Sequence, residues 1–153
     1  AFSSHLPTIG VSTLAVLAQG ALRLGMVGHD ESVLCVIDAR VNEVYGAEYA
    51  FSAGLAVLQQ GPWACAPADL SPEGTRSLQA IGNGCDFLER FPPSLRARIR
   101  GSAPRLLPAA RDILPLALAG VVSGKTQAAS MVQPVYVRDE ISWKKLSEQS
   151  RPR

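Results

Sequence analysis

Val33-Leu34-Cys35-Val36-Ile37-Asp38-Ala39 is a short, nearly continuous apolar run. Arg40-Val41-Asn42-Glu43 interrupts it, and Val44-Tyr45-Gly46-Ala47-Glu48-Tyr49-Ala50-Phe51 follows. The first run has the length and β-branched content of a strand buried on both faces. The second alternates, with Val44, Gly46, Glu48 and Ala50 on one face and Tyr45, Ala47, Tyr49 and Phe51 on the other. The pair predicts a β-hairpin whose first strand is central and whose second is half exposed. Leu55 to Gln59 supplies a third strand after the turn Ser52-Ala53-Gly54.

Upstream of the hairpin, Val11 to Leu24 reads as a helix, with Ser12 or Thr13 as N-cap and Gly25 as its stop. Its polar positions, Ser12, Gln19 and Arg23, make one narrow stripe, so the helix is expected to be buried on most sides. Met26 to Ser32 is a polar connector. Downstream, Pro62 to Gly74 reads as a loop with a short helical turn from Ser71. Ser77 to Ile81 reads as a buried strand that runs into Gly82-Asn83-Gly84, and a short helix begins near Asp86. Pro92-Pro93 breaks that helix, and an arginine-rich connector continues to Arg105. Pro108 to Val122 is a second strongly apolar helix, bent by Pro115 and ended by Gly124. A strand at Pro134 to Val137 precedes a polar end carrying Trp143, Lys144 and Lys145. The order of elements predicts an α/β fold of α+β-like character, a mixed sheet covered by helices.

The 153 residues suit one domain, or one domain and part of another. A hydrophobic share of 47% fills a core, and a charged share of 18% is below the usual quarter. Such a surface is either partly buried against a partner or simply that of an alanine- and leucine-rich domain. A formal charge of +2 gives no strong field toward nucleic acid or membrane. Cys35, Cys65 and Cys85 are odd in number and lack C-x-x-C spacing, and Cys35 within its apolar run reads as a buried reduced thiol, which points to the cytoplasm. Ile113 to Val122 falls well short of the roughly 18 apolar residues of a membrane helix. No Lys or Arg precedes Arg23 and there is no initiator Met, so the chain is expected to be a fragment or a processed product.

Several stretches invite a site. Gly120-Val121-Val122-Ser123-Gly124-Lys125-Thr126 imitates a phosphate-binding loop, but it has three residues between its glycines where four are needed, and it closes a helix instead of opening one. A glycine C-cap is the expectation. Gly82-Asn83-Gly84 does follow a strand and precede a helix, so it is either an anion cradle or a tight turn. Asp38, Arg40, Glu43 and Glu48 place charge around the hairpin; Asp38 is expected to bond the turn backbone, and nothing fixes a catalytic distance between the carboxylates. His5 and His29, the only histidines, have neither metal-ligand nor nucleophile–base spacing. Arg90, Arg96, Arg98, Arg100, Arg105 and Arg111 can meet phosphates or an acidic partner, yet only Phe91 is interleaved, and a solvated face is the simpler account. No catalytic, cofactor-binding or metal-binding residue is assigned.

Three stretches in this order resemble the TsaB family, also called YeaZ. They are Pro7-Thr8-Ile9-Gly10-Val11-Ser12-Thr13-Leu14, Ile37-Asp38-Ala39-Arg40-Val41-Asn42-Glu43-Val44-Tyr45, and Pro134-Val135-Tyr136-Val137-Arg138-Asp139-Glu140 with Trp143-Lys144-Lys145. Leu107-Pro108-Ala109-Ala110 and Gly82-Asn83-Gly84 fit as well. The resemblance implies the actin-like ATPase fold of two ribonuclease-H-like domains, with this chain as the C-terminal two-thirds. Residues 1–30 would then be the remnant of the first domain with one buried helix, and 31–153 the C-terminal ribonuclease-H-like domain. It also implies a non-catalytic, cytoplasmic partner in tRNA threonylcarbamoyladenosine synthesis. That partner supports the transferase TsaD alongside the ATPase TsaE, meets tRNA only through the complex, and has no cofactor, metal or membrane. Family contacts to TsaD come mainly from the first domain, so this chain is expected to bind TsaD weakly or not at all, and instead to self-associate through the uncovered helix Val11 to Leu24. The rival readings are a nucleotide-dependent enzyme of the actin-like group, using the Gly82 loop, and a metallopeptidase, for which the sequence offers no ligands.

Overall fold

In a computed structural model, residues 3–135 and 137 are described. A short strand, β1 (Pro7–Thr8), precedes helix α1 (Thr13–Arg23). Strands β2 (Ser32–Arg40), β3 (Glu43–Ser52) and β4 (Leu55–Cys65) follow in succession. After a 3₁₀ turn at Pro67–Asp69 come strand β5 (Leu78–Ile81) and a 3₁₀ helix at Asn83–Arg90. Helix α2 (Pro93–Arg98), strand β6 (Ile99–Ala103) and helix α3 (Ile113–Val122) then lead to β7 (Gln127–Ala128). The main sheet has the order β4-β3-β2-β5-β6, and β1 and β7 make a separate two-stranded sheet. β2, β3 and β4 form an antiparallel meander, while β5 and β6 join it in parallel.

β2 is central, as its unbroken apolar run requires: Val33, Leu34, Cys35 and Val36 are wholly buried. Alternate residues of the sheet face two separate cores. Val33, Cys35, Ala47 and Tyr49 pack with Leu14, Leu17, Ala18 and Ala21 of α1. Leu34, Val36 and Val44 pack on the opposite side with Leu70, Phe91 and Leu95. Helical elements therefore cover both faces of the sheet.

This layering corrects the expectation that β3 is half exposed. Val44, Gly46, Ala47, Glu48 and Tyr49 are all buried, because β4 closes the edge of β3 while α1 and Leu70 cover its faces. Gly46 is small for a reason, since a Cβ there would lie 2.9 Å from Leu70 Cδ1. β4 continues to Cys65, beyond the predicted Gln59, with a cis bond at Gly61–Pro62. Proline is tolerated because β4 is an edge strand and its ladder with β3 is already irregular there. The turn predicted from Ser71 lies earlier, at Pro67–Asp69.

The predicted arginine-rich connector instead contains α2 and β6. Pro93 opens α2 at the position where a missing N–H costs nothing, and Ile99, Gly101 and Ala103 alternate with exposed Arg100 and Ser102 in β6. The last helix starts at Ile113, later than Pro108, so Pro115 falls in its first turn and removes no intrahelical bond. Pro134 and Val135 do not form the predicted strand; Tyr136, Trp143, Lys144 and Lys145 lie outside the described residues.

α1 keeps close to its predicted limits. Met26 N–H donates to Ala21 O and Gly25 N–H to Leu22 O, with Gly25 at φ 66°, which is a glycine C-cap. The helix is not uncovered, however. Leu14 and the unbroken stretch from Val16 to Ala21 are buried, and Gln19 is spent on Gly54 O and Ala56 N–H in the turn between β3 and β4.

Candidate interaction surface

Gly82 ends β5 at φ 97°, a backbone conformation that suits glycine, and its N–H donates to Ala103 O. A Cβ at Gly82 would lie 2.3 Å from Val36 O, and one at Gly84 would lie 2.5 Å from Val36 Cγ1. The loop is thus a tight corner pressed onto β2, and close packing accounts for both glycines. Asn83 Oδ1 accepts the N–H of Asp38 at 3.1 Å, and Asp38 Oδ1 accepts the N–H of Arg40 at 2.8 Å. Asp38 therefore serves turn backbone, as its position in the sequence suggests.

The other candidates are scattered. Asp38 stands opposite Val44 and Glu48 opposite Leu34, so these two carboxylates occupy different ends of the β2–β3 ladder. Lys125 N–H donates to Gly120 O and Gly124 has φ 71°, so the imitation phosphate loop is a helix C-cap. His5 and His29 are exposed in turns. The arginine cluster divides: Arg96 pairs with Glu89 at 3.1 Å, Arg100 with Glu31 at 3.8 Å, and Arg90 lies over the Phe87 ring. Cys35, Cys65 and Cys85 are free thiols, and burial pushes the Cys85 thiol up to about 12.

What the fold does present is an apolar surface on α3. The helix, Ile113 to Val122, has no polar side chain, a composition that normally means burial on every side. Here Leu114 is 68% exposed, Leu118 66% and Val122 81%, with Leu107 and Met131 also exposed. Contiguous patches of this kind mark surfaces that associate. The helix is seated from beneath: Arg23 of α1 donates two hydrogen bonds to Asp112 at 2.5 and 3.0 Å, Asp112 lies close over Gly20, and Ile9 packs against Gly120. Asp112 is buried while Arg23 is partly exposed, which fixes an order of mutational cost. Arg23→Ala strands a buried carboxylate without a partner, whereas Asp112→Ala leaves a guanidinium that water can reach. Arg23→Ala is therefore expected to lower the midpoint of thermal unfolding further than Asp112→Ala, and calorimetry of both variants checks the order.

A second arrangement was not legible in the sequence. Glu48 on β3 is buried beside Arg98 at the end of α2, with Glu48 Oε2 and Arg98 Nη2 3.6 Å apart. Burial pushes the Glu48 carboxyl above its usual range, and the Arg98 and Arg76 guanidiniums oppose that shift. The folded protein therefore holds this proton more tightly than the unfolded chain. Its contribution to stability is complete below the ordinary carboxylate pKa and is lost as pH rises through the raised value. Relative to Glu48→Gln, the wild-type unfolding free energy should fall as pH rises through that window. Urea titrations of both proteins between about pH 4 and about pH 7 test this, and a difference independent of pH would refute it.

The antiparallel meander extended by two parallel strands, with helical elements on both faces, defines a mixed α/β domain of the ribonuclease-H-like, actin-like class. No family profile matches the chain. It is 35% identical over 156 residues to tRNA threonylcarbamoyladenosine biosynthesis protein TsaB of Escherichia coli, an alignment covering 95% of this chain and 63% of that protein. The protein of the same name from Haemophilus influenzae is 31% identical over 155 residues, with the same coverage. Among solved structures, YeaZ from Pseudomonas aeruginosa superposes with a TM-score of 0.79 at 33% identity, covering 89% of this chain and 62% of that one. A further Pseudomonas aeruginosa structure, described as an uncharacterized protein with similarity to peptidase YeaZ, gives a TM-score of 0.81 at 33% identity, covering 90% of this chain and 62% of that one. These likenesses support the TsaB family for this chain, which spans 63% of the length of its two curated relatives.

Proposed function

We propose that the chain acts in tRNA threonylcarbamoyladenosine biosynthesis as a non-catalytic partner of a TsaD-like transferase. A TsaE-like ATPase belongs to the same assembly, and tRNA is met only through the complex, in the cytoplasm. The observation that carries this reading is 35% identity across nearly the whole chain to a protein named for that biosynthesis. Residues 1–30 read as the end of a first domain and 31–153 as a second, although α1 packs on the main sheet and β1 pairs with β7. A homodimer would form through α3, whose Leu114, Leu118 and Val122 are bare, and not through α1, which is buried.

The test is co-purification with the cognate TsaD. It compares this chain with the same chain extended to the full length of the Escherichia coli relative. Capture of TsaD by the extended form, with weak or no capture by this chain, is the expected result. Failure of the extended form to capture TsaD would overturn the reading.

A further inference from the structure

Beside β3 and the loop before β5 lies a cleft of about 440 Å³ lined by Ser32, Glu48, Gln60, Thr75, Arg76 and Arg98, among others. Every lining residue except Gly74 has a polar side chain, and the lining carboxylates and guanidiniums balance: Glu48 and Glu73 against Arg76 and Arg98. The walls are firmly held. Arg98 donates through Nε to Arg76 O at 2.9 Å and through Nη1 to Pro72 O at 2.6 Å. The Gln60 side chain clasps Glu73, accepting its N–H at 2.7 Å and donating to its carbonyl at 2.9 Å. Within this frame Glu48 Oε2 and Arg98 Nη2 are both buried and have no hydrogen-bond partner among the described residues. Their separation of 3.6 Å is too long for a hydrogen bond between them. The two atoms face each other as a long ion pair, and buried polar atoms seldom stay without hydrogen bonds, so this loosely closed pair calls for a complement.

We propose that this cleft binds the head of a free α-amino acid, its ammonium on Glu48 and its carboxylate on Arg98 and Arg76. The two charged groups of an α-amino acid sit on one carbon, so they reach two protein atoms that lie side by side. An ammonium donates to Glu48 Oε2 while a carboxylate oxygen accepts from Arg98 Nη2, which completes both atoms at once. Arg76, exposed at the rim, supplies a second guanidinium for the carboxylate. Other ligand classes fit less well. A polyphosphate would face two carboxylates, a bare cation would face two guanidiniums, and an apolar molecule would meet four charged side chains with no wholly apolar one among them. This inference does not depend on any TsaD partnership.

The experiment is an amide NMR titration of the full chain with L-alanine, and in parallel with N-acetyl-L-alanine, L-alaninamide and glycerol. L-Alanine is expected to give saturable millimolar shifts centred on Ser32, Glu48, Gln60, Arg76 and Arg98. Each derivative lacking one charge should bind about tenfold more weakly, the loss of one charge-assisted hydrogen bond. Arg76→Ala, a surface change, should weaken L-alanine about tenfold as well. Shifts that do not saturate, that appear equally with the derivatives or glycerol, or that survive Arg76→Ala undiminished would overturn the proposal. The derivative comparison on the wild-type chain decides the matter without any variant.

Discussion

Gly82→Ala is expected to lower the unfolding free energy by roughly 3–5 kcal/mol, enough to consume much of the stability of a domain this size. Two costs combine. Gly82 sits at φ 97°, where a side chain is strained, and its Cβ would be driven to 2.3 Å from the carbonyl oxygen of Val36 and 2.8 Å from Leu17 Cδ2. Neither neighbour yields easily, because Val36 lies in the central strand and both residues are wholly or almost wholly buried. Gly54→Ala is the control: φ is 77° but nothing lies within 4 Å, so only the backbone cost of about 1 kcal/mol applies. Urea unfolding of both variants separates the contributions. Equal losses at the two positions would sink the steric account.

Phe91→Ala is expected to cost roughly 3–5 kcal/mol. Phe91 is 2% exposed and joins Leu34, Val36, Val44, Leu70, Leu78 and Leu95 in the core opposite α1. Truncation removes a whole ring from the seal over that face of β2, and the sheet cannot collapse into the space. Phe91→Leu retains most of the apolar volume and should cost markedly less. Equilibrium unfolding in urea reads both, and a loss for the alanine variant no larger than that for leucine would contradict the packing described.

The hairpin, the central strand and α1 were legible because each is written in neighbouring residues: an unbroken apolar run, an alternating run, and a narrow polar stripe ended by glycine. What escaped reading depends on residues far apart in the chain. Phe91 stands among arginines and looked like a solitary aromatic on a charged face, yet it turns inward because Pro92 and Pro93 end one helical segment and start the next at that point. β3 alternates like a half-exposed strand, but exposure is decided by β4 and Leu70, which its own pattern does not encode. Glu48 and Arg98 are fifty positions apart in number and meet only because the fold brings the end of α2 over β3. The glycines of the Gly82 loop announced a corner without saying whether it was open to an anion; the approach of Val36 supplies the answer. The family resemblance rested partly on residues beyond 137, outside those described, and the identities across 95% of the chain uphold it independently.

α3 is locked to α1 by Arg23 and Asp112 while its outer side chains stand in water. A strip so fixed has already surrendered its conformational entropy during folding, so whatever covers it gains from water release with little further ordering. The signature is thermal. Association through α3 should show a negative heat-capacity change, grow weaker on cooling, and respond little to ionic strength, the reverse of contacts made by arginines to phosphate.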